Sequence, residues 1–123
     1  MTVVLWICAA VLAVIYLGTG VMKLVRSKEQ LAAMGLRWTE DFSPGVVKLL
    51  GALELLAAIG LILPALLHIA PVLGPLAASG LVLLMIGATV VHLRRKETRM
   101  AWGTLSLVAF AAFVAIAGFI SPW

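Results

Sequence analysis

Cysteine, histidine and charge are all scarce in this chain. Its 123 residues include one cysteine, two histidines and one tyrosine, and only 11% are charged. A single cysteine, Cys8, excludes an intramolecular disulfide and a CxxC redox pair. Close to the start and preceded by Trp6 and Ile7, it lacks the setting of a lipid-attachment cysteine and reads as a small apolar helix residue. The two histidines, His68 and His92, fall at opposite ends of any span arrangement, so they cannot share a metal and read as interfacial residues. No Ser-His-Asp set, glycine-rich phosphate loop, metal cluster or haem-type histidine pair can be assembled. The motifs therefore assign no catalytic residue, no metal and no cofactor, and the balance is against an enzyme.

What the chain has in excess is apolar material: 64% of its residues, with a mean hydropathy of +1.21. An ordinary soluble domain is about half apolar and about a quarter charged. A protein this small has too much surface to hide such an excess in one core, so much of it must face lipid. Four apolar runs carry it: Val3 to Leu24, Val46 to Leu63, about Val72 to Val91, and Ala101 to Ile120. Crossing the hydrocarbon layer takes about 20 helical residues. The runs are continuous rather than alternating, which selects helices over barrel strands. The expected fold is all-α, an integral membrane four-helix bundle forming one transmembrane domain over residues 1–123. The first run, with Lys23 and Arg26 after it and no basic segment before it, is expected to stay as a span rather than be cleaved.

Charge gives an orientation. Lys23, Arg26, Lys28, Arg37 and Lys48 belong to or flank the first connection, and Arg94, Arg95, Lys96 and Arg99 the third. Those nine are all the lysines and arginines in the chain. Short basic loops stay cytoplasmic, so both termini are expected outside, in a cell (inner or plasma) membrane. The net charge of +4 follows from these anchors and implies no nucleic-acid partner. Membrane lipid is the expected partner, with Arg94–Arg99 meeting anionic headgroups. Trp6 and Trp123 near one boundary, and Trp38 and Trp102 near the other, fit an aromatic belt.

The first connection is the only sizeable one. Ser27 with Gln30 forms a capping-box signature and Gly35 a stop, predicting a short interfacial helix from Lys28 to Met34 with Leu31 and Met34 towards the membrane. Ser43 and Pro44 open the second span. The second connection is a hairpin punctuated by Pro64, Pro71 and Pro75. Gly80 and Gly87, with Ala111, Ala115 and Gly118, read as packing surfaces of the last two spans.

One acid, Glu54, lies inside a span. Such residues usually face the bundle and often mark function. Val47, Gly51, Glu54 and Ala58 share one helical face, and Ala9, Ala13, Tyr16, Gly20 and Lys23 form a matching stripe on the first span. Depth counting puts Tyr16 level with Glu54 and makes its hydroxyl the first candidate partner. Lys23 and Lys48 lie nearer the boundary and are expected to snorkel towards it, with an inward lean of either as the alternative. With no close cation, Glu54 is expected to be largely neutral near pH 7, lining a buried polar pocket. A fixed hydrogen bond that locks helix packing is the plainer alternative.

Two stretches, Gly18 to Leu24 (GTGVMKL) and Lys48 to Pro64 (KLLGALELLAAIGLILP), followed by a glycine-containing third span ending in HLRRK at His92 to Lys96, resemble the DoxX-like family. The similarity runs over nearly the whole chain. It implies a compact four-helix bundle and kinship with small membrane subunits associated with quinone-linked thiosulfate oxidation and with membrane partners of oxidoreductases. It also implies Lys23, Lys48 and Glu54 as pocket residues. On this basis the chain is expected to be a non-catalytic accessory subunit or a bundle binding a quinone or other lipid. A membrane-protein partner or a second copy would then work with it. A proton-coupled transporter, working as a dimer through Glu54, is the alternative.

Overall fold

A computed structural model of the chain describes residues 2–67, 69–70 and 72–120, so the readings above for His68, Pro71 and Trp123 lie outside the described residues. The chain is all-α. Its elements are α1 (Thr2–Val25), α2 (Lys28–Ala33), a 3-10 turn (Arg37–Asp41), α3 (Pro44–Leu66), α4 (Leu73–Arg94) and α5 (Thr98–Ile120). In lipid, backbone polar groups find partners only within the segment itself, which is why the apolar runs are helical throughout. Each of α1, α3, α4 and α5 is long and apolar enough to cross a bilayer.

The helices overrun the apolar runs that predicted them. Ser43 caps α3, its hydroxyl accepting from the Val46 amide at 3.3 Å with Pro44 as first residue. At the other end α3 continues through Pro64 to Leu66, where the sequence suggested a stop at Leu63. Proline lacks the amide that would bond back to Gly60. One turn from the helix end, that loss is small enough for packing to override.

Burial is inverted relative to a soluble bundle. Val14 (72%), Leu83 (72%) and Ile116 (61%) are widely exposed outside, while Leu5, Leu12, Leu61, Leu81 and Val114 are sealed within. An apolar exterior around an apolar core is stable only in a hydrocarbon solvent. With four such helices, this is a multi-pass membrane protein.

Two helix pairs make the bundle. α1 packs chiefly on α3, and α4 on α5; α3 against α4 joins them, with a lighter α1–α5 contact. The α1–α3 crossing depends on two glycines. A Cβ on Gly20 would lie 2.8 Å from the Gly51 carbonyl oxygen, and one on Gly51 would lie 2.8 Å from the Lys23 Cβ and 2.9 Å from the Gly20 carbonyl oxygen. Backbones this close admit no side chain at either position. The α4–α5 pair instead shares a hydrogen bond between the Thr89 and Thr104 hydroxyls at 2.7 Å. Ala111, Ala115 and Gly118 are buried as expected. Gly80 and Gly87 are not packing positions: both are exposed, and a Cβ added at either would meet nothing within 4 Å. They lie off the buried face that Ala78, Leu81 and Met85 define.

The first connection folds as its caps dictate. The Ser27 hydroxyl accepts from the Gln30 amide at 3.1 Å while the Gln30 side chain accepts from the Ser27 amide at 3.0 Å. Gly35, at φ +102°, ends α2 in a Schellman motif, with Gly35 and Leu36 amides donating to Ala32 and Leu31 carbonyls. Met34 is half exposed, but Leu31 is wholly buried within the protein rather than turned to the membrane, because α2 folds back against the 3-10 turn. The third connection is far tighter. Lys96, at φ +60°, closes α4 by the same motif, and α5 starts two residues later. Arg95 in this turn donates to Asp41 of the 3-10 turn at 2.6 Å, so the two basic connections lie at one end of the bundle.

Candidate functional site

The buried stripe of α3 is Val47, Gly51, Glu54, Ala58 and Leu61, and that of α1 is Leu5, Ala9, Leu12, Tyr16, Gly20 and Lys23. The 3.6-residue repeat therefore identified the faces. The partner it selected for Glu54 was different. Lys23, not Tyr16, meets the acid: its Nζ donates to both carboxylate oxygens at 2.6 Å. The two side chains are only 10% and 3% exposed.

One expectation falls with this geometry, and the premise of another. Lys23 does not snorkel to the boundary; it turns inward. The Gly20–Gly51 contact sets Lys23 directly against Gly51, one helical turn from Glu54, and the long lysine stem spans the remainder. Depth counting located the Cα atoms and not the ammonium. The expectation of a neutral Glu54 assumed that no cation was near, and a lysine bridging both oxygens removes that premise. An ion pair so buried contributes little net stability, but either partner left alone would be costly.

Tyr16 is 1% exposed, and its hydroxyl has no hydrogen-bond partner among the described residues. It lines a cavity of about 420 Å³ between the helix pairs, together with Thr19, Lys23 and Glu54. Most of the remaining wall is apolar, with Ile15, Leu50, Leu84, Met85, Val91 and Leu107 among its residues. Trp38 and Phe42, edge to face with ring centres 5.8 Å apart, bring the first connection into the wall. The Lys23 ammonium lies 5.4 Å from the centre of the Trp38 ring, within reach of a cation–π attraction. Trp38 is thus more than a belt residue.

His92 also lines this cavity. It is 4% exposed, turned into the protein rather than out to solvent, and its Nδ1 lies 2.9 Å from Glu97 Oε1. A carboxylate only accepts, so against an ionised Glu97 the proton of this hydrogen bond lies on Nδ1, and the bond fixes the ring's orientation. Glu97 lies in turn 3.6 Å from Arg95, which bonds Asp41. That hydrogen bond, reinforced by the charges of Asp41 and Glu97, pushes the Arg95 guanidinium up from its already high ordinary value. The chain Asp41–Arg95–Glu97–His92 therefore runs from the connection that carries Trp38 to the cavity. Sequence reading missed His92 and Trp38; the one signal that pointed there was Glu97 following His92 across a short turn.

Lys48 is placed elsewhere. It is exposed, and its ammonium donates to the Leu24 carbonyl at 2.8 Å, capping the end of α1. It does not line the cavity that holds Glu54. Of the four residues singled out in the sequence, Tyr16, Lys23 and Glu54 are brought together and Lys48 is not.

Chemically, the site is an apolar chamber with a neutralised ion pair, one free phenolic donor and an oriented imidazole. Among the described residues no group of three His, Cys, Asp or Glu side chains is placed to hold a metal. No curated protein and no solved structure matches the chain. The model of the DoxX-like family matches residues 7–117, which takes in α3 and α4, most of α1 and α5, and the whole of this cavity. The chain belongs to the DoxX-like family.

Proposed function

We propose that this protein is a non-catalytic subunit that binds an uncharged lipophile in the cavity beside Glu54, working alongside a larger membrane oxidoreductase or transport complex. The observation that carries the reading is the unpartnered Tyr16 hydroxyl within a mostly apolar chamber. A buried donor without a partner costs about 1–3 kcal/mol, and a ligand with an acceptor oxygen would recover that. The Lys23–Glu54 pair carries no net charge, which suits a neutral head better than an ionic one. A quinone fits these requirements. Its carbonyl would accept from Tyr16, its ring and tail would lie on the apolar walls, and Trp38 and His92 would border its head. A quinone supplies redox chemistry when bound; the residues here would hold and orient it and exclude water. In this reading both termini lie outside the cytoplasm and the two basic connections inside it.

Exchange of a proton for a cationic substrate at Glu54 is less well supported. Both carboxylate oxygens are taken by Lys23, and these are the atoms such a substrate would need.

The test is extraction of protein purified in mild detergent, with mass spectrometry of what it carries. Wild-type protein is expected to retain a neutral lipophile in near-stoichiometric amount. Tyr16→Phe, with one hydrogen bond fewer, should retain it about tenfold more weakly. Gly87→Leu, which places apolar volume at a cavity-lining position where a Cβ meets nothing within 4 Å, should exclude it. Equal retention in all three proteins would overturn the proposal. Proton release on substrate addition, lost in Glu54→Gln, would favour transport instead.

A further inference from the structure

A second cavity, of about 390 Å³, lies at the basic end of the α1–α3 pair and plays no part in the proposal above. It is bordered by the end of α1, the start of α2 and the start of α3, and its lining includes Arg26, Lys28, Lys48 and Glu29. Arg26 and Lys28 make no ion pair or hydrogen bond through their side chains among the described residues, and Lys48 bonds only the Leu24 carbonyl. With one acid against these three cations, the groove keeps two uncompensated positive charges. Lys23 also lines it, but its ammonium is already committed to Glu54.

Three cations with one acid among them around one concave site repel one another, and a bound anion would relieve that repulsion. The surroundings indicate which anion. Val25 borders the groove and is 69% exposed, and Val21, one turn back on the same face of α1, is 42% exposed. Leu49, next to Lys48, is 57% exposed. The cationic groove thus passes directly into an apolar face of the span, the arrangement that a phosphate-bearing head with acyl chains requires.

We infer that this groove is a binding site for an anionic phospholipid, with Arg26, Lys28 and Lys48 around the headgroup phosphate and the acyl chains along Val25 and Val21. The chemistry that the cations recognise is a phosphate ester; the apolar rim selects the lipid-borne form over a soluble one.

The experiment uses the full chain in nanodiscs, with retained lipids read by native mass spectrometry. With phosphatidylglycerol and phosphatidylcholine in equal amounts, phosphatidylglycerol should stay bound and phosphatidylcholine should not. Arg26→Gln/Lys28→Gln should weaken that retention about 30-fold, at about fivefold for each cation. Neither side chain has a protein partner, so thermal unfolding should not change. Arg94→Gln/Arg99→Gln removes the same charge from the other connection and should alter retention less than about threefold, within the effect of a single cation. Inorganic phosphate in large excess should not displace the lipid. The inference fails if the two lipids are retained equally, if the two double variants behave alike, or if inorganic phosphate alone strips the bound lipid. Because the variants do not touch the cavity at Glu54, lipophile retention there is an independent readout.

Discussion

The two halves of the bundle solve one problem in different ways. α4 and α5 are joined by a turn of three residues, Arg95 to Glu97, whose Schellman geometry fixes how the helices meet. Their interior then needs only side-chain packing and the Thr89–Thr104 hydrogen bond. α1 and α3 are separated by a long connection containing α2 and the 3-10 turn, which leaves their register open. That register is set inside the membrane, by the Gly20–Gly51 contact and the Lys23–Glu54 pair. Where a turn is short, the loop aligns the helices. Where it is long, the interior must do so, and costly polar groups are retained in lipid.

The sharpest way to break this contrast is to remove one member of the ion pair. Lys23→Met leaves a buried carboxylate alone and should lower stability by about 3–5 kcal/mol. Adding Glu54→Leu to it should restore most of the loss, because a well-packed apolar pair is about as stable as a buried ionic one. Thermal unfolding in detergent of the two single variants and the double would show this. Additive losses would mean that the pair does not set the register.

A smaller effect is expected from Gly51→Ala. The added methyl meets backbone and the Lys23 Cβ rather than a movable chain end, so the helices must part, at about 1–3 kcal/mol. Disulfide trapping between cysteines placed on α1 and α3 should slow in step with the loss. In the other half, Lys96→Gly should stabilise by about 1 kcal/mol, since the left-handed position suits glycine. A fall in melting temperature would contradict the turn described. Smallest of all, Thr89→Val should cost only about 0.6 kcal/mol, the usual worth of one interhelical hydrogen bond in a membrane. If Thr89→Val proved as damaging as Gly51→Ala, the proposed division of labour would be wrong.

Much of this was legible in the amino-acid sequence. Apolar length located the four helices, and the recurrence of Val47, Gly51, Glu54 and Ala58 located the inner face of α3, because both follow from helix geometry and the solvent alone. The Ser27–Gln30 cap and the Gly35 stop were equally local. What escaped was tertiary. Counting residues sets the depth of an α-carbon, yet Lys23 reaches Glu54 through a flexible stem whose direction depends on the neighbouring helix. Trp38 and His92 sit near boundaries where a belt or interfacial role is a sufficient explanation. Only the fold turns them towards the same chamber.

The separation of the ion-pair partners along the chain has a consequence for biosynthesis. Lys23 precedes Glu54 by 31 residues, so α1 leaves the ribosome ahead of α3 and reaches the bilayer before its acid does. In that interval the ammonium has only the headgroup zone to turn to, and the side chain must later swing inward when α3 docks. The last two helices need no such rearrangement and can insert together as a hairpin. Pairing of the first two long helices is then complete only once that lysine has met its acid.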